Sequence, residues 1–262
     1  MTFLPLNSEP DDEPNGHVVV LVHEGAAVRV DDGERPDGGH FLGLLDGHFV
    51  WGVDALELDD PDERDPALYR DLRMQWGALD EVRWMVAGRG IQVVEWARTH
   101  RFCGRCATPN EPTTTPGERA LRCPSCGLLA FPRLAPAVIT LIEREDGRVL
   151  LARNVHFPGA MYSLLAGFVE PGETLEECVA RETKEEVGVD VDQITYWGSQ
   201  PWPFPHSLMI GFRARYAGGD IVLQEDEIAD AAWFARDDLP VVPPPMSIAG
   251  RILGAWREEG DR

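Results

Sequence analysis

The segment spanning residues 167–189 (GFVEPGETLEECVARETKEEVGV) constrains the fold and chemistry of this chain more than any other stretch. It opens as a loop containing glycine and proline and continues into a sequence suited to a helix. Thr174 can cap the first turn, and Glu173 and Glu176 suit the positive end of a helix. The segment therefore predicts a loop followed by a helix that begins near Thr174.

The predicted helix carries three carboxylates, Glu182, Glu185 and Glu186. The second and third are three and four positions after Glu182. Side chains at these spacings lie on one helical face, so the three groups converge and repel one another. Divalent cations offset such repulsion, and Mg²⁺ commonly binds between carboxylates and substrate phosphate oxygens. The alternative is a solvated acidic face, the more common meaning of a Glu-Glu pair taken alone.

Two Cys-x-x-Cys pairs form a second pattern. Its members are Cys103, Cys106, Cys123 and Cys126. This spacing is typical of a tetrahedral zinc site, and four thiolates leave no position open for a substrate. We therefore predict one structural Zn²⁺ per chain. Disulfides are the poorer explanation where no export signal is predicted, and Cys178, in the predicted helix, is expected to be a small packed residue.

Composition favours a soluble enzyme with a cytoplasmic location. The sequence has no apolar run of about 18 residues or more, and it lacks a signal-like leader, so neither a membrane span nor export is predicted. The formal net charge is −21. Such a chain repels nucleic acid and anionic membranes at long range, which argues against unspecific RNA binding.

Three regions are expected: an N-terminal α/β domain over 1–97, a zinc ribbon over 98–131 and a third domain over 132–262. Helical apolar spacing runs from Leu68 to Val82 and again from Ile91 to Trp96, and a last helix is predicted over 251–259. Strand-like runs occupy the ranges 17–23, 41–53, 137–142, 149–151, 194–199, 208–216 and 231–234.

The segment 199–209 (SQPWPFPHSLM) contains three prolines in five residues. Proline fixes φ, so the loop should present Trp202 and Phe204 at a low ordering cost. Aromatic rings of this kind can stack on a planar base. The alternative is that both rings cap the core.

The spacing of Gly167, Glu173, Arg181-Glu182, Glu185-Glu186 and Gly188 resembles the Nudix box, the motif of hydrolases that cleave nucleoside diphosphates linked to another group. One fixed position departs from it, because the aliphatic slot holds Thr183. A β-branched threonine can fill a valine-like space. Arg181 is expected to tie the loop through Glu173.

Together, the box, the cysteine pairs and the sequence SQPWPFP resemble the NADH pyrophosphatases, a Nudix family that splits NAD(H) at its diphosphate and removes NAD caps from RNA 5′ ends. The resemblance covers roughly residues 66–256. It implies an α/β fold, in which a mixed sheet between helices follows a zinc ribbon and an N-terminal α/β domain. It also implies a homodimer.

Carried over from the family, the metal ligands fall on Glu182, Glu186, Glu227 and the backbone carbonyl of Ala166, with Glu185 as a further ligand. The resemblance implies catalysis by Glu182, Glu185 and Glu186, in which Glu186, or Glu185, takes the proton of a metal-bound water. The resemblance implies Mg²⁺ or Mn²⁺ at this site. The implied substrate contacts are Gln200, Pro201, Trp202, Pro203, Phe204, Pro205, His206, Ser207, Phe131, Glu118, Ala249 and Arg73. Phe131 stands where the family often has tyrosine. Phenylalanine keeps the ring for stacking but lacks the hydroxyl.

The function implied is hydrolysis of NAD(H) to NMN(H) and AMP, with removal of NAD caps from RNA. A Nudix hydrolase of another diphosphate, such as ADP-ribose, remains an alternative, as does a dedicated RNA decapping enzyme that would hold its RNA by the cap. A non-catalytic zinc-ribbon interaction protein is disfavoured, because no box carboxylate is missing.

Overall fold

A computed structural model describes residues 1–156 and 159–259. The chain divides into two compact units. The first unit contains Met1–Leu134 together with Trp202–His206, and the second contains Ala135–Pro201 and the residues from Ser207 onward. The sequence predicted a further boundary inside the first unit, between an N-terminal domain that ends at residue 97 and a zinc ribbon that begins at residue 98. That boundary stays a prediction.

A six-stranded mixed sheet forms the core of the first unit, in the order β1-β4-β5-β2-β3-β6. Its strands are β1 (Phe3–Pro5), β2 (His17–Val22), β3 (Ala27–Gly33), β4 (His40–Leu45), β5 (His48–Asp54) and β6 (Arg70–Asp71). The predicted run 41–53 is thus a hairpin. It turns at Asp46 and Gly47, whose φ values of 48° and 82° suit a tight turn.

Helix α1 (Glu81–Thr99) packs against this sheet. It begins after Asp80, whose carboxylate accepts hydrogen bonds from the backbone N–H groups of Val82 and Arg83. The prediction of helical structure from Leu68 was wrong up to that point. Short 3₁₀ turns occupy the interval, because Asp65 and Asp71 bond the backbone two residues ahead and stop a longer helix.

Three short strands belong to the cysteine-rich region of the first unit and form their own sheet, in the order β7-β8-β9. They are β7 (Glu111–Pro112), β8 (Leu121–Arg122) and β9 (Leu129–Ala130). So small a sheet buries little apolar surface, and the cysteine cluster described below compensates for the missing core.

The second unit contains a mixed sheet in the order β13-β14-β10-β11-β15, with β12 paired to β10. Its strands are β10 (Ala135–Glu143), β11 (Val149–Asn154), β12 (Leu165–Phe168), β13 (Asp190–Trp202), β14 (Ser207–Gly218) and β15 (Ile228–Phe234). Pairing of β10 with β14 is parallel, whereas β10 with β11 is an antiparallel hairpin, as predicted.

Two helices, α2 (Leu175–Val187) and α3 (Ile248–Glu259), cover opposite faces of this sheet. The alternation of side chains along β10 explains this arrangement, since successive residues point to opposite faces. Ile139 and Leu141 pack in the cluster that contains α3, whereas Val138 packs with Cys178 of α2. The second unit is therefore a sheet between helices.

No helix in the ranges 1–156 and 159–259 is long and apolar enough to cross a membrane.

Candidate active site

Helix α2 is defined at both ends by its own sequence. Thr174 and Glu177 form a capping box, in which each side chain bonds the other residue's backbone N–H. At the C-terminal end Gly188 adopts the left-handed conformation with φ 76°. These ends match the start predicted near Thr174 and set the orientation of every carboxylate on the helix.

Arg181 ties the loop before α2 to the helix. Its guanidinium donates to both oxygens of Glu173 at 2.7 and 2.9 Å and to the carbonyl of Phe168 at 3.0 Å. This ion pair lowers the pKa of Glu173 to about 2. The same guanidinium also donates to Glu182 at 2.9 Å and Glu185 at 3.0 Å. Arg181 therefore holds the loop, as expected, and also orients two of the clustered carboxylates.

The Glu182 carboxylate lies directly against Gly167 of strand β12. A Cβ atom at residue 167 would come within 1.8 Å of Glu182 Cδ. The absence of a side chain at this glycine therefore creates the space that Glu182 occupies. Ala166, whose carbonyl is the implied backbone ligand, is the preceding residue of this strand and is exposed.

Glu186 is buried among other carboxylates, with a relative exposure of 5%. Burial, followed by the charges of Glu182, Glu227 and Glu185, raises its pKa to about 8. Burial and the charges of Glu185 and Glu227 likewise raise the pKa of Glu182, against the opposing effect of Arg181. The charges of Glu182, Glu185 and Glu227 thus all act on Glu186, so the carboxylates named from the box and from the resemblance lie in one region of the second unit.

Glu227 comes from the loop before β15, and backbone hydrogen bonds hold that loop to the end of α2. The N–H of Gln224 donates to the carbonyl of Glu186 at 3.0 Å, and the N–H of Glu227 donates to the carbonyl of Gln224 at 3.0 Å. These bonds place Glu227 near Glu186 despite 40 intervening positions in the sequence. The residues next to Glu227 in the sequence form no pattern that predicts that it lies near Glu186.

The donor set fits a hard divalent cation. All four groups are carboxylates, oxygen ligands of the kind that Mg²⁺ and Mn²⁺ prefer. Within the described residues Glu186 accepts no hydrogen bond and forms no ion pair, so a bound cation would supply the counter-charge that its environment lacks.

The side chain of Gln200 reaches the start of α3, where Ala249, another implied substrate contact, is the second helical residue. The Gln200 amide donates to the carbonyl of Met246 at 2.8 Å and accepts from the N–H of Ile248 at 2.6 Å. Gln200 is buried, and Ala249 is 3% exposed. In this structure the Gln200 side chain thus fixes the first turn of α3, and a direct contact with substrate stays a prediction.

Phe204 lies against two tryptophan rings and one arginine in the first unit. The Arg73 guanidinium lies 3.7 Å from the centre of the Phe204 ring, and Trp202 approaches edge-on at 4.8 Å. Trp84 lies 6.4 Å away. The rings of Trp202 and Phe204 are therefore half-buried and not freely presented by the loop. Arg73, another implied substrate contact, covers one face of the Phe204 ring.

Pro203 of the same loop packs against Gly88 of α1, where a Cβ atom would come within 2.8 Å of Pro203 Cγ. Sequence reasoning missed this close approach, although Gly88 inside an otherwise helical segment was a usable signal. Pro205 is exposed and His206 half-buried, whereas Ser207 is buried at the first position of β14.

Phe131 and Glu118 line one pocket of the first unit. The ring of Phe131 is 53% exposed. Glu118 accepts a hydrogen bond from the hydroxyl of Thr113 at 3.1 Å. Phe131 is therefore the more accessible of the aromatic rings selected from the sequence.

The sulfur atoms of Cys103, Cys106, Cys123 and Cys126 all lie within 4.8 Å of one another. Backbone N–H groups of Arg105 and Cys126 point at the sulfurs of Cys103 and Cys123, each at 3.4 Å. Among the described residues this is the one group of three or more such ligand atoms that close together. The cluster fits a tetrahedral zinc ion.

Cys178 is not a member of this cluster and is fully buried in α2. Burial raises the pKa of its thiol to about 12, and the thiol donates to the carbonyl of Phe168. It behaves as the packed residue that the sequence predicted.

Comparison with known proteins gives two domain matches. Residues 133–256 match the NUDIX domain, and residues 98–131 match the NADH pyrophosphatase zinc ribbon domain. A NUDIX hydrolase of known structure from Nitrosomonas europaea aligns with a TM-score of 0.52 and 24% identity, covering 61% of this chain and 91% of that chain. That similarity supports the fold alone.

Curated relatives extend the match beyond the two domains. The NAD-capped RNA hydrolase NudC of Stutzerimonas stutzeri is 48% identical over 212 residues, covering 81% of this chain and 75% of the relative. The protein of the same name from Deinococcus radiodurans is 45% identical over 243 residues, covering 89% of this chain and 85% of the relative. Domain order, fold and identity agree, and the chain belongs to the NADH pyrophosphatase family of Nudix hydrolases, whose members carry a zinc ribbon before the Nudix domain.

Proposed function

We propose that this enzyme hydrolyses the diphosphate of NAD(H) to NMN(H) and AMP, and that it also removes NAD caps from RNA 5′ ends. The carboxylates of Glu182, Glu185 and Glu227, whose charges act on the buried Glu186, carry the proposal. The relatives named NAD-capped RNA hydrolase NudC supply the substrate class.

Glu182, Glu186 and Glu227, with the Ala166 carbonyl, would hold the catalytic cations, for which we propose Mg²⁺ or Mn²⁺. When bound, such cations neutralise the diphosphate and lower the pKa of an attacking water. Arg181 contributes by fixing Glu182, since it holds that carboxylate at 2.9 Å before any substrate binds. The arrangement thus limits reorganisation during the reaction.

In the reaction, water adds to one phosphorus, the bond from that phosphorus to the bridging oxygen breaks, and the second nucleotide leaves as its monophosphate. The water must lose a proton, and Glu186 is the carboxylate best suited to take it. It is buried and its raised pKa favours proton uptake. Glu185 is the second candidate, but Arg181 already bonds one of its oxygens.

Substrate recognition is assigned to Gln200–Ser207, Phe131, Glu118, Ala249 and Arg73. The aromatic members would stack on a base of the dinucleotide. We also propose a homodimer and a cytoplasmic location, as the family resemblance and the composition imply. Sedimentation of the purified protein would test the dimer, because a monomer at working concentration would contradict it.

Product analysis tests the proposed reaction. Purified enzyme is incubated with NADH, NAD, ADP-ribose or NAD-capped RNA, in the presence of Mg²⁺ or Mn²⁺. We expect AMP and NMN(H) from the dinucleotides and 5′-monophosphate RNA from the capped RNA. A preference for ADP-ribose over NAD(H) would instead identify the enzyme as a hydrolase of another diphosphate.

A further inference from the structure

A pocket of about 470 Å³ in the first unit gathers three arginines, Arg89, Arg119 and Arg133. Within residues 1–156 and 159–259, none of the three forms an ion pair with a carboxylate. This is unusual in a chain with 45 acidic and 24 basic residues, in which other arginines find acidic partners. Arg98, for example, pairs with Asp54 at 2.6 Å in the same unit.

Arg89 and Arg119 are instead held by neutral groups. Arg89 Nε donates to the carbonyl of Leu42 at 2.9 Å, and Arg119 donates to the carbonyls of Leu6 and Phe41. Both guanidinium groups also reach the side-chain oxygen of Asn7, at 3.5 and 3.4 Å. These bonds orient the two cations side by side without neutralising either of them.

This arrangement has an electrostatic cost. Burial lowers the pKa of Arg89, and burial together with the charge of Arg89 lowers the pKa of Arg119 to about 10. The carboxylate of Glu118, in the same pocket lining, forms no ion pair with Arg89 or Arg119 and accepts a hydrogen bond from the Thr113 hydroxyl. Arg89 and Arg119 are half-buried and fixed, and neither has a carboxylate partner among the described residues. Such guanidinium groups suit the binding of an anion, and their planar forks match phosphate oxygens.

Phe131 narrows the class of anion. Its ring lines the same pocket and is 53% exposed. A cationic groove beside an accessible aromatic ring is the combination that binds nucleotides, in which a phosphate meets the cations and a base stacks on the ring. A simple oxoanion would not need the ring.

We propose that Arg89, Arg119 and Arg133 bind a phosphate group of a nucleotide, and that in a capped RNA this is a phosphodiester of the attached chain. The RNA assignment rests on the proposed function. The same chemistry could also hold the phosphate of a free mononucleotide, and the experiment separates these two sources. In an acidic chain, such a pocket would supply local attraction for RNA that the overall charge opposes.

Direct binding in buffer without added divalent metal keeps this test independent of catalysis. One probe is a short single-stranded RNA with a 5′-monophosphate, whose binding is measured by fluorescence anisotropy. The other probe is AMP, whose binding is measured by calorimetry. The variants are Arg133→Gln, which alters an exposed residue, and Arg119→Gln, whose folding is checked by thermal unfolding. Arg257→Gln is the control, because it removes an exposed arginine of α3 that does not line the pocket.

Loss of one phosphate contact should weaken RNA binding by about fivefold at 0.1 M salt and reduce the slope of log Kd against log salt by about 0.7. We expect this for Arg133→Gln and Arg119→Gln and not for Arg257→Gln. The ratio of KM for capped RNA to KM for NADH should rise in parallel. Weakened AMP binding with unchanged RNA binding would assign the pocket to a free mononucleotide.

Unchanged binding of both probes in the two pocket variants would overturn the anion site. Failure of the proposed function gives a different result. A protein that cleaves neither NADH nor capped RNA could still bind the RNA probe, and the two pocket variants would still bind it more weakly.

Discussion

At the residue scale, Glu186 has the strongest conflict between burial and charge in the site. It is 5% exposed, and three neighbouring carboxylates oppose its ionisation. Such an environment is costly for a structural residue and is frequent at functional sites. The position therefore provides the most direct test of the chemistry.

Glu186→Gln should retain the fold and lower kcat by at least about a hundredfold, the usual size of a lost base or metal ligand. Steady-state NADH hydrolysis measures the effect, with thermal unfolding to check the fold. The matched control is Glu176→Gln, the same change at an exposed position in the first turn of α2. Near wild-type turnover in Glu186→Gln would place the chemistry elsewhere.

The exposed ring of Phe131 leads to a prediction about substrate choice. If the ring stacks on a base, Phe131→Ala should lose about 1 to 3 kcal/mol of binding, or roughly tenfold to a hundredfold in kcat/KM for NADH. Phe204→Ala should act in the same direction, although Arg73 covers one face of that ring.

The comparison substrate is a minimal diphosphate that lacks the contacted base, on which both ring variants should lose little activity. Tyr196→Ala serves as a control, since it removes an exposed ring from the second unit. Equal losses on both substrates would mean that the rings only pack the protein.

At the scale of elements, the capping box of α2, the ion pair of Arg181 with Glu173 and the space at Gly167 all serve to position carboxylates. The helix start and the Arg181 tie were predictable, because capping and ion pairing depend on nearby residues. The contact of Glu182 with Gly167 was not, because it depends on how β12 packs beside α2.

Gly167→Ala tests this packing. The backbone can accept alanine, but the new Cβ would occupy the position of the Glu182 carboxylate, which must move. We expect an unchanged fold and a loss of kcat of about tenfold or more, because a misplaced metal ligand weakens the binding of the catalytic cation. Gly198→Ala is the control, because a Cβ at that strand glycine meets nothing within 4 Å. Full activity of Gly167→Ala would show that Glu182 tolerates displacement.

At the scale of the whole molecule, the sequence predicted the fold class and the family, and both are confirmed by the two domain matches and the relatives. The predicted runs of the second unit lie within β10, β11, β13, β14 and β15, because their apolar patterns are regular, whereas β12 was not predicted. The last helix was predicted from residue 251, and α3 begins at Ile248. The helix expected from Leu68 failed, since apolar spacing could not reveal that aspartate side chains would divert the backbone into 3₁₀ turns. Glu227 was selected by resemblance alone.

The small ribbon sheet gives the prediction at this scale. We expect one zinc per chain and, for Cys123→Ser, reduced thermal stability or solubility before any change in the chemistry of the surviving enzyme. Elemental analysis and thermal unfolding provide the measurements. Cys178→Ser is a useful comparison, because it alters a thiol outside the cluster. Fully active protein without zinc would contradict the prediction.

Because Cys178 is buried, we expect the thiol reactivity of the protein to be confined to the four cysteines of the ribbon cluster. The Cys178 thiol is inaccessible, and its high pKa keeps the reactive thiolate scarce. The other four cysteines belong to the ribbon cluster, where a bound metal would protect them. A thiol reagent added to the native enzyme should therefore report metal release from the ribbon directly, and oxidants should damage this protein first at the ribbon.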